Sequence, residues 1–125
     1  MNTLLSKSDF VSLNGTLKDT YSGIIDATSF EKMKDTAFII NVAQADMIDQ
    51  TALISALKKG EIAGAGLDVF DDMENGDEEL ASLDNVVITP YVSSATYKAR
   101  YNLAKEDSRN ILAYLNENKV LNQVN

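Results

Sequence analysis

Two short apolar runs, Ala37-Phe38-Ile39-Ile40 and the stretch from Ala63 to Phe70, bracket a segment with helical spacing. Runs this short, closed by turn residues, fit strands better than buried helices. Without polar alternation they fit a parallel sheet covered on both faces. Between them Leu53, Ala56 and Leu57 make one apolar side of a helix. Asp49 can cap its start, Lys58 and Lys59 sit where the helix dipole favours cations, and Gly60 can take the left-handed stop. The pattern predicts a βαβ unit over residues 36–70. Ligands of such sheets bind beyond the carboxyl ends of the strands, which directs attention to residues 41–46 and 68–73.

The flanking segments extend this unit. Leu4 and Leu5 read as the end of a helix, and Asp9 to Leu13 as a strand stopped by the Asn14-Gly15 turn. Residues 16–25 are mixed and predict a loop with a turn of helix. Asp26 can cap a short helix whose Ala27, Phe30 and Met33 face the sheet. Residues 71–79 hold six carboxylates, the mark of a loop followed by the acidic start of a helix. Asn85 to Thr89 is a fourth strand ended by Pro90. Ser94 opens a long helix, about 94–118, with Tyr97, Tyr101, Ala104, Ser108, Ile111 and Leu115 in one stripe, and residues 119–125 form a tail. The expected fold is α/β, a four-stranded parallel sheet equivalent to half of a Rossmann-type domain, with residues 1–125 as one partial domain.

Composition narrows the chemistry. At 125 residues, 45% apolar and 24% charged, the chain suits one ordinary globular domain. A formal charge of −8 disfavours nucleic acid and other anionic partners. There is no cysteine, hence no disulfide or thiolate site, and no histidine, which removes the commonest acid–base group near neutral pH. No segment is apolar for long enough to cross a bilayer and the N-terminus lacks the features of a signal peptide, so a cytoplasmic location is expected. No metal site is expected either. Counted from Asp71, a calcium loop would need oxygen ligands where Met73 and Ser82 stand, so a solvated acidic loop is the better reading. Gly64-Ala65-Gly66 lies within a strand, where glycine signals close backbone approach and not a phosphate-cradling turn. Asp68, at the end of an apolar strand, must be either a hydrogen-bonded structural acid or a binding group.

The blocks from Asn41 to Asp49, Ala52-Leu53, Gly64 to Phe70 and Thr89 to Thr96 resemble, in order and spacing, the later half of the cofactor domain of the NAD-dependent D-2-hydroxyacid dehydrogenases. The resemblance runs from about Leu4 to Asn125. It implies that Ser12, Leu13, Asn14 and Gly15 match the strand end beside the adenosine half of NAD. Val42 and Ala43 match the nicotinamide side, and Asp68 with Ser93 the carboxamide contacts. No glycine fingerprint for the pyrophosphate precedes the first strand, and no substrate domain accompanies it, so weak or no NAD binding is expected of this chain.

The same resemblance assigns three catalytic roles, and none of the three positions keeps its residue. The arginine that grips the substrate carboxylate is replaced by Gln44. The glutamate that holds the catalytic histidine is replaced by Met73, and the histidine itself by Tyr91. Gln44 has no charge and no two-pronged guanidinium. Met73 cannot orient a proton donor, and a tyrosine, whose phenol has a reference pKa of about 10 in model peptides, is a poor substitute for histidine as an acid–base catalyst near neutral pH. Asp46 adds a carboxylate that would repel an anionic substrate. Glu74 is displaced by one residue from the glutamate place and has no histidine to orient.

The expected function is therefore a dehydrogenase-like NAD-binding-domain fragment related to oxidoreductases but inactive alone. The alternatives are an interaction or regulatory module on a half-Rossmann scaffold, or one part of a split dehydrogenase completed by its missing half. A homodimer is also expected. In the family an earlier strand pairs with the one matching Asp9 to Leu13, and another domain covers the long helix. Here the strand edge, the helix stripe and Val120, Leu121 and Val124 need cover.

Overall fold

Four strands, β1 (Phe10–Leu13), β2 (Phe38–Asn41), β3 (Gly64–Leu67) and β4 (Val86–Ile88), form one all-parallel sheet in the order β1-β2-β3-β4. The computed structural model describes residues 1–15, 21–71 and 77–122. Helices α1 (Asn2–Lys7), α2 (Ala27–Phe30), α3 (Gln50–Lys59) and α4 (Glu78–Ala81) accompany the sheet, and α5 (Tyr97–Glu117) follows β4. The chain divides into two compact units, Met1–Tyr91 and Val92–Asn125.

Strand order explains where the core of the first unit lies. When each new strand is added on the same side and every crossover is right-handed, all connecting helices fall on one face of the sheet. That face carries Val11, Ile39, Ala65 and Leu67, and it is packed with Leu5 of α1, Phe30 of α2, Leu53, Ala56 and Leu57 of α3 and Leu80 of α4. The opposite face does not have the cover that the apolar runs led us to expect. Phe10 is 67% exposed, Phe38 40% and Val87 69%, with Phe10 and Phe38 stacked at 5.6 Å between ring centroids. A doubly wound sheet covers both faces by reversing its strand order, and these four strands never reverse.

Local chemistry sets the helix limits. The Asp49 carboxylate accepts from the Ala52 backbone N–H at 2.9 Å, and Gly60 adopts φ 68° as α3 ends. On α3, Leu53, Ile54, Ala56 and Leu57 are all buried, one more than the apolar spacing indicated. On α2, Phe30 is buried and Met33 lies beyond the helix in the core, whereas Ala27 is exposed because it occupies the first helical position, beside the cap. The long helix begins at Tyr97, not at Ser94, because Thr96 is the residue whose hydroxyl accepts from the Ala99 N–H, at 3.2 Å.

Asp26 caps α2 with unusual density. Its Oδ1 accepts from the Ser29 hydroxyl at 2.8 Å, the Thr28 hydroxyl at 2.9 Å and the Ser29 N–H at 2.9 Å. These bonds, the Ser29 hydroxyl foremost, hold its carboxyl below the usual carboxylate range. Because the folded-state value is the lower one, ionised Asp26 favours the folded state at pH above about 4. That contribution disappears as pH falls through the folded-state value. Acid denaturation followed by circular dichroism should show a shallower loss of stability below about pH 4 in Asp26→Asn than in the parent. Equal slopes would mean that the cap does not feel its charge.

In the second unit, no residue of α5 is buried. Tyr97 and Tyr101 stack at 6.3 Å, and the helix ends at Asn118 with φ 50°. The Lys119 N–H then bonds the Ala113 carbonyl at 3.1 Å, turning the tail back along the helix, where the Asn122 amide donates to Glu106 and Asn110, each at 3.1 Å. A groove of about 800 Å³ lies between helix and tail, lined by Tyr101, Lys105, Arg109, Leu112, Lys119 and Leu121 among others.

Candidate functional site

Parallel register brings the sequence-derived candidates of the first unit to one edge of the sheet. Leu13 pairs with Asn41, Asn41 with Leu67, and Leu67 with Ile88, so Asn14, Val42, Asp68 and Thr89 follow the strand ends in a row. Main-chain bonds extend the ladder past the strands, from Val42 N–H to the Leu13 carbonyl at 3.4 Å, from Asp68 N–H to the Asn41 carbonyl at 2.9 Å, and from Thr89 N–H to the Leu67 carbonyl at 2.9 Å.

The loop after β2 is built by Asn41, which the sequence reading used only as a landmark. Its side chain is 1% exposed, donates to the Gln44 carbonyl at 2.8 Å and accepts from the Ala43 N–H at 3.1 Å. A buried amide satisfied in this way imposes one shape on the turn. Val42 is consequently left exposed, with Ala43 and Gln44 half-buried. The legible signal was an asparagine directly after three apolar strand residues, where a side chain that bonds its own backbone ends extension.

Asp68 is 5% exposed and accepts from the Thr89 hydroxyl at 2.5 Å. The hydrogen-bonded acid of the sequence reading is thus present, and its partner comes from the next strand end. A threonine one residue before Pro90 was the available clue. At β1, the Asn14 amide donates to the Ser12 hydroxyl at 2.9 Å, and Asn14 and Gly15 are exposed. In the loop after β2, Asp46 is exposed, and its carbonyl accepts from the Gly23 N–H at 2.7 Å.

Of the three positions to which the family resemblance assigns catalytic roles, Gln44 and Tyr91 are described and Met73 lies outside the described residues, as does Glu74. Tyr91 is 62% exposed and adopts φ 53°, a left-handed conformation that is rare for an aromatic residue, with its N–H bonded to the Thr89 carbonyl at 3.0 Å. Its phenol has no cation as a hydrogen-bond or ion-pair partner among the described contacts. Ser93 lies in the second unit.

Gln50, at the start of α3, fastens both ends of the segment that carries Met73. Its amide donates to Asp77 at 2.6 Å and its carbonyl oxygen accepts from the Asp71 N–H at 2.8 Å. Among the described residues no group of acids, histidines or cysteines is placed to hold a metal ion, and no helix is long and apolar enough to cross a membrane.

Comparison with known proteins agrees with this geometry. Residues 1–93 match the D-isomer specific 2-hydroxyacid dehydrogenase NAD binding domain. A glyoxylate reductase of Thermococcus onnurineus is 46% identical over 117 residues, covering 93% of this chain and 35% of the relative, and one of Pyrococcus furiosus is 45% identical over 114 residues, covering 91% and 34%. Among solved structures, a glyoxylate reductase from Paecilomyes thermophila superposes with a TM-score of 0.92 at 30% identity, over 98% of this chain and 38% of that one. A D-lactate dehydrogenase with NAD+ from Lactobacillus jensenii superposes with a TM-score of 0.90 at 30% identity, over 99% and 42%. The chain thus spans about a third of the length of these glyoxylate reductase relatives. It belongs to the D-isomer specific 2-hydroxyacid dehydrogenase family and corresponds to the later part of that family's NAD-binding domain.

Proposed function

We propose that this chain keeps the scaffold of a D-2-hydroxyacid dehydrogenase cofactor domain and has lost the chemistry of the reaction. The observation that carries the reading is the simultaneous replacement of arginine, glutamate and histidine by Gln44, Met73 and Tyr91. Reducing a 2-oxo acid needs a proton donor at the carbonyl oxygen and a cation on the carboxylate. All three replacements lie within these 125 residues, so attaching further domains would not supply the missing groups. The exposed sheet face and the unburied α5 favour, as a second reading, an interaction module on the same scaffold.

Toward NAD, Asn14 and Gly15 would sit at the adenosine side, Val42 and Ala43 at the nicotinamide side, and Asp68 would meet the carboxamide. The 125 residues hold no glycine-rich turn into a helix for the pyrophosphate. Edge contacts alone seldom offset the cost of ordering a flexible dinucleotide. Calorimetric titration should give a dissociation constant no tighter than about 1 mM, barely altered by Asp68→Ala. Low-micromolar binding that weakens in that variant would contradict the reading. We further read the chain as a homodimer in a cytoplasmic setting, the unpaired outer edge of β1 and the exposed α5 stripe being what association would cover.

A further inference from the structure

Two unpartnered apolar surfaces occur in every copy of the chain. One is the open sheet face. The side chains of Phe10, Phe38, Ile40 and Val87 share it with Gly64 and Gly66 of β3; the Phe38 ring lies over Gly64, and the face stays low at Gly66, between Ile40 and Val87. The other is the α5 stripe, where Tyr101 is 56% exposed, Ile111 59% and Leu115 71%. A 21-residue helix is about 32 Å long. Four strands spaced about 4.8 Å apart are narrower than that, so one helix can cross the whole open face.

The two compact units carry opposite net charges. Residues 1–91 hold 16 carboxylates and 6 cations, a net charge of −10, while residues 92–125 hold 5 cations and 3 carboxylates, a net charge of +2. The cations are also placed to matter. Lys98, Lys105 and Arg109, spaced by seven and four, follow one flank of the apolar stripe, Arg100 and Asp107 border the other, and Glu106 and Glu117 fall on the far side of the helix.

We propose that α5 of one copy lies across the open sheet face of a second copy, and the reverse, in a reciprocal twofold exchange. This rests on the homodimer proposed above and names its surfaces. Reciprocal docking covers both apolar surfaces of both copies and leaves no site for a third, as a closed twofold contact requires. The basic flank of the helix then meets the acidic first unit, so the dimer weakens as salt screens the attraction.

The absence of cysteine makes the test direct. Full-length Val87→Cys and Leu115→Cys chains, both altered at exposed positions, are mixed and treated with a short bismaleimide. The expected product is a cross-linked pair containing one chain of each kind, with little from Val87→Cys mixed with Leu103→Cys, because Leu103 projects away from the stripe. In light scattering after size exclusion, Val87→Glu and Ile111→Glu should each raise the dimer dissociation constant at least tenfold, with Leu103→Glu unchanged. A wild-type dimer that cross-links indifferently or ignores Val87→Glu overturns the exchange while leaving the dimer standing. A wild-type monomer at micromolar concentration overturns both.

Discussion

Gly64→Ala destabilises the first unit by about 2 kcal/mol or more, while Gly66→Ala, two residues along the same strand, changes stability by less than about 1 kcal/mol. The two glycines look alike in sequence and face the same side of the sheet. At Gly64 an added Cβ would lie 2.6 Å from the Asn85 carbonyl oxygen and 2.9 Å from the Phe38 ring. The oxygen cannot withdraw, because the neighbouring Ala65 N–H holds it in a 3.0 Å hydrogen bond that helps to fix β4 beside β3. Relief would require breaking that bond or parting the strands. At Gly66 the nearest atom is Ile40 Cγ1 at 3.8 Å, an ordinary contact, and the methyl group reduces the freedom of the unfolded chain. Urea unfolding of the two variants should separate their midpoints widely. Equal midpoints would mean that β4 can move away from β3 at little cost.

That pair also marks how far sequence carries. The reading of a close backbone approach at Gly64-Ala65-Gly66 holds at Gly64 and not at Gly66, because the deciding atom is the Asn85 carbonyl, which the β3–β4 register places there. The βαβ unit, its caps at Asp49 and Gly60, and the parallel sheet were legible because local chemistry and apolar spacing agree. Cover on both faces was inferred from β2 and β3, whose apolar runs do not show which side the crossovers take; strand order decides that. The site was legible only in part. Asp68 stood out as a carboxylate at the end of an apolar strand, but Thr89 and Asn41, which organise the strand ends, are polar residues of common type. Thr89 gained significance only when the neighbouring strand brought it to Asp68, and Asn41 only when its side chain closed on Ala43 and Gln44 of its own loop.

No 2-hydroxy or 2-oxo acid is expected to turn over with NAD(H) on this chain. A positioned general acid contributes typically about 10²- to 10⁴-fold, and a donor aimed at developing charge about 10²- to 10³-fold. On the proposed reading, Gln44 gives up the cationic grip, Tyr91 the near-neutral proton donor, and Met73 the group that would orient one. These losses act on one assembly and do not simply multiply, yet even the single loss of the proton donor would slow a typical turnover of about 10 s⁻¹ by about 10²- to 10⁴-fold. Tyr91 does not take over that role from its present position. Its left-handed backbone points an exposed phenol from the turn after Pro90, and no cation among its described contacts favours the phenolate. Steady-state absorbance assays with lactate, glycerate, phosphoglycerate and their oxo acids should stay at the blank rate.

The decisive measurement tests the chemistry of these residues within a complete reductase. The Thermococcus onnurineus glyoxylate reductase, with its matching 117 residues replaced by those of this chain, is assayed for NADH binding by fluorescence and for glyoxylate reduction by absorbance. The expected result is a chimera that binds NADH without reducing glyoxylate, and that gains at least about 10³-fold in rate when Gln44→Arg, Met73→Glu and Tyr91→His are introduced together. Reduction by the unaltered chimera at a rate near that of the parent reductase, abolished by Tyr91→Phe, would contradict the account and make Tyr91 a working proton donor.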